Sequence, residues 1–237
     1  ELWTTDGTAE NTRQVVDLYN AAGGSKPAFL TVYNGNLYFR ATGGNLTTRN
    51  NAELWKSDGT ASGTTLVKEI NPNFISSSGS VGSVPENLVV ANGLLMFTAR
   101  DDMFRANAEL WKSDGTESGT VKVKEINPSA TTGSFPRDFV VLGGRLLFTA
   151  QDGSNGKELW TSDGTSAGTS MLKDINTNPN TGSISVFNSS AGESNGKLYF
   201  GADDGVHDNE LWVTDGTTEG TLMLKDINPA GSGFYND

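Results

Sequence analysis

The chain has 237 residues, 35% of them apolar and 29 of them glycine, so it can bury a large core and is no disordered tail. A formal charge of -11 repels phosphate backbones and anionic lipid, which argues against nucleic acid and membrane surfaces as partners. With no cysteine there is no disulfide framework and no thiolate metal site, and no apolar run reaches the roughly 18 residues that span a bilayer.

The chain opens inside a motif, Glu1-Leu2-Trp3, which reads as a missing N-terminus and a missing export signal. ELWTTDGT at Glu1 returns as ELWKSDGT at Glu53 and Glu109, ELWTSDGT at Glu158 and ELWVTDGT at Glu210. The starts are 52, 56, 49 and 52 residues apart, close to the period of a four-stranded propeller blade.

Each motif opens an 18-residue unit that reads as a β-hairpin, ending at Leu18, Ile70, Ile126, Ile175 or Ile227. The aspartates Asp6, Asp58, Asp114, Asp163 and Asp215 bond turn amides, and the glycine after each supplies φ > 0. A second glycine (Gly63, Gly119, Gly168, Gly220) is expected in a left-handed conformation before the return strand, with Asn11 as its substitute in the first copy. The return strand ends in a charged pair such as Lys68-Glu69, which predicts a sheet edge blunted by charge. Trp3, Trp55, Trp111, Trp160 and Trp212 fill one slot per repeat and are expected to dominate blade packing.

Between these units lies a second hairpin. Leu30 to Phe39 turns at Asn34-Gly35, Leu88 to Phe97 at Asn92-Gly93 and Phe139 to Phe148 at Gly143-Gly144, with the type I′ signal of a tight turn. The fourth copy, at Asn195-Gly196, is preceded by Ala191-Gly192-Glu193-Ser194, a poor strand. The predicted fold is therefore all-β: a β-propeller of four-stranded antiparallel blades over residues 1–237. It has five ELW units against four inner hairpins, an incomplete ring and a fragment of a larger protein.

Alternating strand direction puts the Asn-Gly and Ser-Asp-Gly-Thr turns at one end of each blade and the connections of variable length at the other. That variable face carries the binding candidates Asp101, Asp102, Phe104, Arg105, Asp152, Asp203, Asp204 and His207. No catalytic residue is assigned, because 15 of the 28 acids sit in slots repeated in every unit, where turn-making and capping explain them. The loop acids could hold Ca²⁺, but they match no calcium-loop spacing, and turn formation is the favoured reading. His207, the only histidine, reads as a loop residue, and a Ser-His-Asp triad is disfavoured. Asn45-Leu46-Thr47 and Asn188-Ser189-Ser190 match the short glycosylation pattern.

The string ELW-x-x-DGT, followed by Gly-Thr and by Lys-Glu-Ile-Asn-Pro in two copies, resembles the bacterial ELWxxDGT-repeat family over essentially the whole chain. The resemblance implies a secreted or cell-surface protein with propeller-like repeats and further domains, and it implies no catalytic residues. Val16 and Asn11 depart from its pattern. The leading functional expectation is a non-catalytic extracellular scaffold, adhesin or binding module for a protein or glycan, without a cofactor. The alternatives are a propeller hydrolase or lyase using loop acids such as Asp101 and Asp204, and a purely structural subunit of a surface assembly.

Overall fold

Twenty short strands and no helix make up the described residues of the computed structural model, which are 1–19, 24–43, 51–72, 74–75, 79–80, 82–102, 107–129, 132–178, 191–229, 231 and 233. They divide into two compact units, residues 1–90 with 94–122 and residues 91–93 with 123–237. The first unit opens on a lone hairpin of β1 (Leu2–Thr4) and β2 (Arg13–Val16). A four-stranded antiparallel sheet follows, of β3 (Ala28–Tyr33), β4 (Asn36–Thr42), β5 (Ala52–Ser57) and β6 (Thr65–Lys68), hydrogen-bonded in chain order. After a two-stranded ribbon of β7 (Phe74–Ile75) and β8 (Gly79–Ser80), the same order recurs in β9 (Glu86–Ala91), β10 (Leu94–Arg100), β11 (Ala108–Ser113) and β12 (Val121–Lys124).

The second unit carries two more such sheets. One has β13 (Arg137–Leu142), β14 (Arg145–Gln151), β15 (Lys157–Ser162) and β16 (Ser170–Lys173). The other has β17 (Gly192–Ser194), β18 (Lys197–Asp203), β19 (Asn209–Thr214) and β20 (Leu222–Lys225). These are the blades of the expected β-propeller fold, each complete in four strands. The irregular fourth copy is confirmed: β17 is three residues long and exposed throughout.

Each blade repeats one pair of opposed ladder positions. Phe39 pairs with Trp55, Phe97 with Trp111, Phe148 with Trp160 and Phe200 with Trp212. All four phenylalanines are fully buried. In three blades a bulge then displaces one residue of the last strand. Leu54 pairs with Lys68 and Trp55 with Leu66, so Val67 between them is left out of the ladder. Leu172 and Leu224 are displaced in the same way.

The displaced residue helps to seat the tryptophan of the following blade. Trp111 lies in one core with Leu54, Val67 and Ile70, and Trp212 lies in one with Leu159, Leu172 and Ile175. Trp55 packs likewise with Leu2, Val15 and Leu18 of the opening hairpin.

The tight turns behave as expected. Asn34 and Gly35 have φ of 47° and 75°, and Asn92-Gly93, Gly143-Gly144 and Asn195-Gly196 repeat the doubly positive pattern of a type I′ turn. In the ELW hairpin Asp58 accepts the backbone N–H of Thr60 at 2.8 Å, and Gly59 has a φ of 91°. The second glycine corrects the sequence reading. Gly63 is not in a positive-φ conformation, and a Cβ there would stand 2.0 Å from the Asp58 carboxylate. The position needs space and not handedness. Where Asn11 replaces it, the side chain donates Nδ2 to Asp6 at 2.7 Å and keeps the carboxylate paired.

Gly119→Ala is accordingly expected to disrupt its hairpin, because Asp114 would be driven off its bonds to Thr116. A loss of about 1–3 kcal/mol, the usual cost of overpacking, should appear in urea denaturation, while Gly119→Asn should cost less.

The lysine before each acid is also reassigned. Lys68 Nζ donates to the carbonyl of Thr120 at 2.8 Å, Lys124 to that of Thr169 at 2.8 Å and Lys173 to that of Thr221 at 2.6 Å. These ammonium groups do not merely blunt an edge, as expected from sequence. They tie one blade to the turn of the next.

Candidate functional site

The first glutamate of ELW is buried. Glu53 is 1% exposed, and its carboxylate accepts the backbone N–H groups of Ile70, Asn71 and Ser83 at 3.1, 3.4 and 2.9 Å, together with the hydroxyl of Ser83. Burial pushes its pKa up to about 7, against the opposing pull of these four donors. Glu158 and Glu210 likewise accept from Ile175 and Ile227, so this carboxylate pins the end of the hairpin in several repeats.

Ser83 belongs to a second repeat that sequence reasoning passed over. Ser25-Lys26-Pro27, Ser83-Val84-Pro85 and Ser134-Phe135-Pro136 each precede an inner strand. The three serines are buried, and their carbonyls accept from Thr42, Arg100 and Gln151. The residue before each proline has a φ of 47°, a conformation that β-branched Val84 rarely adopts. A search for a repeated Ser-x-Pro would have found it.

The binding candidates fall into separate settings. Phe104, Arg105 and both glycosylation patterns lie outside the described residues. Asp101 pairs with Lys122 at 3.0 Å, and the carbonyl of Asp102 accepts Asn71 Nδ2 at 2.8 Å. Asp152 Oδ1 accepts the N–H of Ser154 and Asn155, and its Oδ2 accepts Asn155 Nδ2 at 2.8 Å. Asp203 accepts the N–H of Gly205. Asp152 and Asp203 thus serve their own turns. Among the described residues no three His, Asp or Glu side chains converge to hold a metal ion.

Asp204 sits in the same turn as Asp152 one repeat later, and here the repeat breaks. Its Oδ1 accepts the N–H of Val206 and of His207, each at 2.9 Å. The slot of Asn155 is filled by His207, whose Nδ1 lies 2.8 Å from Asp204 Oδ2. The imidazole pKa is raised, first by the hydrogen bond to Asp204, against partial desolvation, and then by the charges of Asp204, Asp226 and Glu210. Asp204 itself is held low: its bonds to His207 and Val206 outweigh the burial that would raise it.

His207 opens on a cavity of about 270 Å³ lined also by Val206, Asp208, Asp226, Asn228 and Pro229. Asp226 Oδ1 is buried there without a hydrogen-bond partner among the described residues. The cavity therefore holds an imidazole oriented by one carboxylate and faced by another. Such a group can take and return a proton near neutral pH. Sequence reading placed His207 among the binding candidates of the variable face but took it for a loop residue with no catalytic partner. The signal against that was the mismatch of Asn155 and His207 at equivalent positions after an Asp-Gly pair.

No family model matches the chain, and no curated protein does. Solved structures do. A puromycin hydrolase mutant superposes with a TM-score of 0.56 at 14% identity, over 90% of this chain and 33% of its own. A puromycin-hydrolyzing peptidase of Mycobacterium tuberculosis gives 0.52 at 13% identity, over 92% and 30%. The likeness is one of fold. An α-L-arabinofuranosidase of Clostridium thermocellum, at 0.35 and 16% identity over 87% and 73%, superposes too poorly to add to it.

The chain thus spans about a third of the two hydrolases it matches best among these. The expectation of a non-catalytic scaffold, adhesin or binding module, and of a chain that is not an enzyme, is overturned here. The puromycin hydrolase and the puromycin-hydrolyzing peptidase that share its fold are hydrolases, and that finding runs against the non-catalytic reading.

Proposed function

We propose that this chain forms the propeller portion of a hydrolase and supplies its general acid–base pair, His207 with Asp204. The observation that carries this reading is the 2.8 Å contact of His207 Nδ1 with Asp204, at a cavity shared with Asp226. Asp204 holds Nδ1 as the protonated nitrogen and leaves Nε2 to act as base. His207 then takes a proton from a water attacking an ester or amide carbonyl, and Asp204 stabilises the resulting imidazolium. The proton returns to the leaving oxygen or nitrogen as the scissile bond breaks. The acids Asp208 and Asp226 and the net charge of -11 favour a substrate carrying a cationic group.

The test is hydrolysis of p-nitrophenyl esters and aminoacyl p-nitroanilides by the purified chain. His207→Asn installs the side chain found at the matching position of the preceding repeat, so the turn survives and only proton transfer is lost. A fall of about 10²–10⁴-fold in kcat/KM is expected, the usual worth of a positioned acid–base group. Asp204→Asn should move the midpoint of the histidine limb to lower pH, because the interaction that raises the imidazole pKa is removed. Hydrolysis unchanged by His207→Asn would refute the proposal.

A further inference from the structure

The contact of Glu53 with Ser83 brings together the parts of a reaction within the chain. Ser83 is fully buried, and its hydroxyl donates to the Glu53 carboxylate. The other carboxylate oxygen lies 2.9 Å from the backbone nitrogen of the same serine. Should Ser83 Oγ attack the carbonyl carbon of Gly82, Glu53 touches both the oxygen that loses a proton and the nitrogen that gains one. The N–H groups of Ile70 and Asn71, at 3.1 and 3.4 Å, hold the carboxylate in place. Its pKa, pushed up to about 7 by burial, suits a group that takes and returns a proton at neutral pH.

The carbonyl is prepared as well. Asn71 Nδ2 donates to the oxygen of Gly82 at 3.3 Å, where it would stabilise an oxyanion. The backbone is tight on both sides of Ser83. Gly82 has a φ of 56°, and a Cβ there would stand 2.5 Å from the Ala52 nitrogen. Val84 has a φ of 47°, a strained conformation of the kind that gathers at reactive sites. Gly24-Ser25-Lys26-Pro27 repeats the Gly-Ser-x-Pro pattern, but Ser25 Oγ is buried with no hydrogen-bond partner among the described residues. Of these two serines only Ser83 has a base.

We propose that the chain cuts itself between Gly82 and Ser83 by an N-to-O acyl shift. Ser83 Oγ bonds to the Gly82 carbonyl carbon as its proton passes to Glu53. The C–N bond then breaks, and Glu53 gives the proton to the departing nitrogen, which becomes the free amine of Ser83. Water adds to the resulting ester, the bond from Gly82 carbon to Oγ breaks, and a Gly82 carboxylate and the serine hydroxyl remain. One water is consumed and nothing is oxidised. Ser83 is closed to solvent, so the cut is slow. The two pieces share one core, with Leu54, Val67 and Ile70 packed against Leu95, Phe97 and Trp111, and stay together until denatured.

Denaturing mass spectrometry of the purified chain, kept folded at neutral pH with and without hydroxylamine, tests this. A fragment beginning at Ser83 is expected to accumulate over days, and faster with hydroxylamine, which captures the ester as a Gly82 hydroxamate. No fragment beginning at Ser25 is expected. Ser83→Ala should stay whole, and Ser83→Cys should cleave again through a thioester. Glu53→Gln should slow the cut by about 10²–10⁴-fold, the usual worth of a positioned acid–base group. A wild-type chain that remains whole in hydroxylamine, while folded by circular dichroism, overturns the proposal. So does a fragment beginning at Ser83 that forms equally fast from Ser83→Ala, since the serine hydroxyl would then have no part in the cut.

Discussion

Trp111→Ala is expected to destabilise the first unit by about 3–5 kcal/mol, whereas Trp3→Ala should leave the monomer's stability nearly unchanged. The two residues occupy the same slot of the same motif. Trp111 faces Phe97 across the strands and lies in a core with Tyr33, Tyr38, Leu54, Val67 and Ile70. Its removal leaves a cavity between packed sheets, and cavity terms add to the lost burial. Trp3 faces Gln14 and is mostly in water. The indole N–H of Trp111 has no acceptor among the described residues, so Trp111→Phe gives up volume but no hydrogen bond. Urea denaturation should therefore rank Ala as the most damaging change at 111, Phe as intermediate, and the alanine variant at 3 as close to wild type.

The second large effect concerns Glu53. Its removal by Glu53→Ala orphans the buried N–H groups of Ile70, Asn71 and Ser83, and at about 1–3 kcal/mol for each buried donor the loss should reach at least about 3 kcal/mol. Glu53→Gln keeps one acceptor oxygen and isolates the titration.

The folded pKa of Glu53 is about 7 against an ordinary value of 4.5, so between these values the folded chain holds a proton that the unfolded chain has released. Unfolding then releases that proton, and stability must fall as pH rises. The contribution is complete below about pH 4.5, declines through about pH 7 and is flat above, with a span of about 3 kcal/mol at 1.36 kcal/mol per pH unit. Measured across that window, the wild-type chain should lose stability more steeply than Glu53→Gln, and the difference between the two curves removes the contribution of His207 and other groups. Parallel curves would show that Glu53 is ionised throughout.

What could be read from the linear chain was whatever lies within a hairpin. Asp58 and Gly59 bond or bend within two residues of each other, and Asn34-Gly35 specifies its turn alone, so local chemistry sufficed. The alternation that makes Leu146, Leu147 and Phe148 all buried was visible as a run apolar on both faces.

What escaped depends on the meeting of residues far apart in sequence. Lys68 and Thr120 are 52 positions apart, and Glu53 and Ser83 are 30 apart. Nothing in Lys-Glu-Ile announces a carbonyl one blade away, so the lysine was read as an edge device. Gly63 was misjudged for a related reason, since its constraint comes from the Asp58 carboxylate lying over it and not from its own backbone. At the candidate site the acids and His207 were identified as binding candidates, but the partnership of His207 with Asp204 was masked by the expectation that a solitary histidine is a loop residue.

The bulge that ejects Val67, Leu172 and Leu224 from their ladders has a bearing on how such a gene can change. Within each unit it gives the repeats a plug at one side and a socket at the other, of one common gauge. Duplication or excision of a whole period of 49 to 56 residues joins a standard plug to a standard socket and leaves no mismatched seam. A cut elsewhere would strand half of the coupling, so unequal recombination in frame with the tryptophans is the inexpensive route by which relatives of different length would arise.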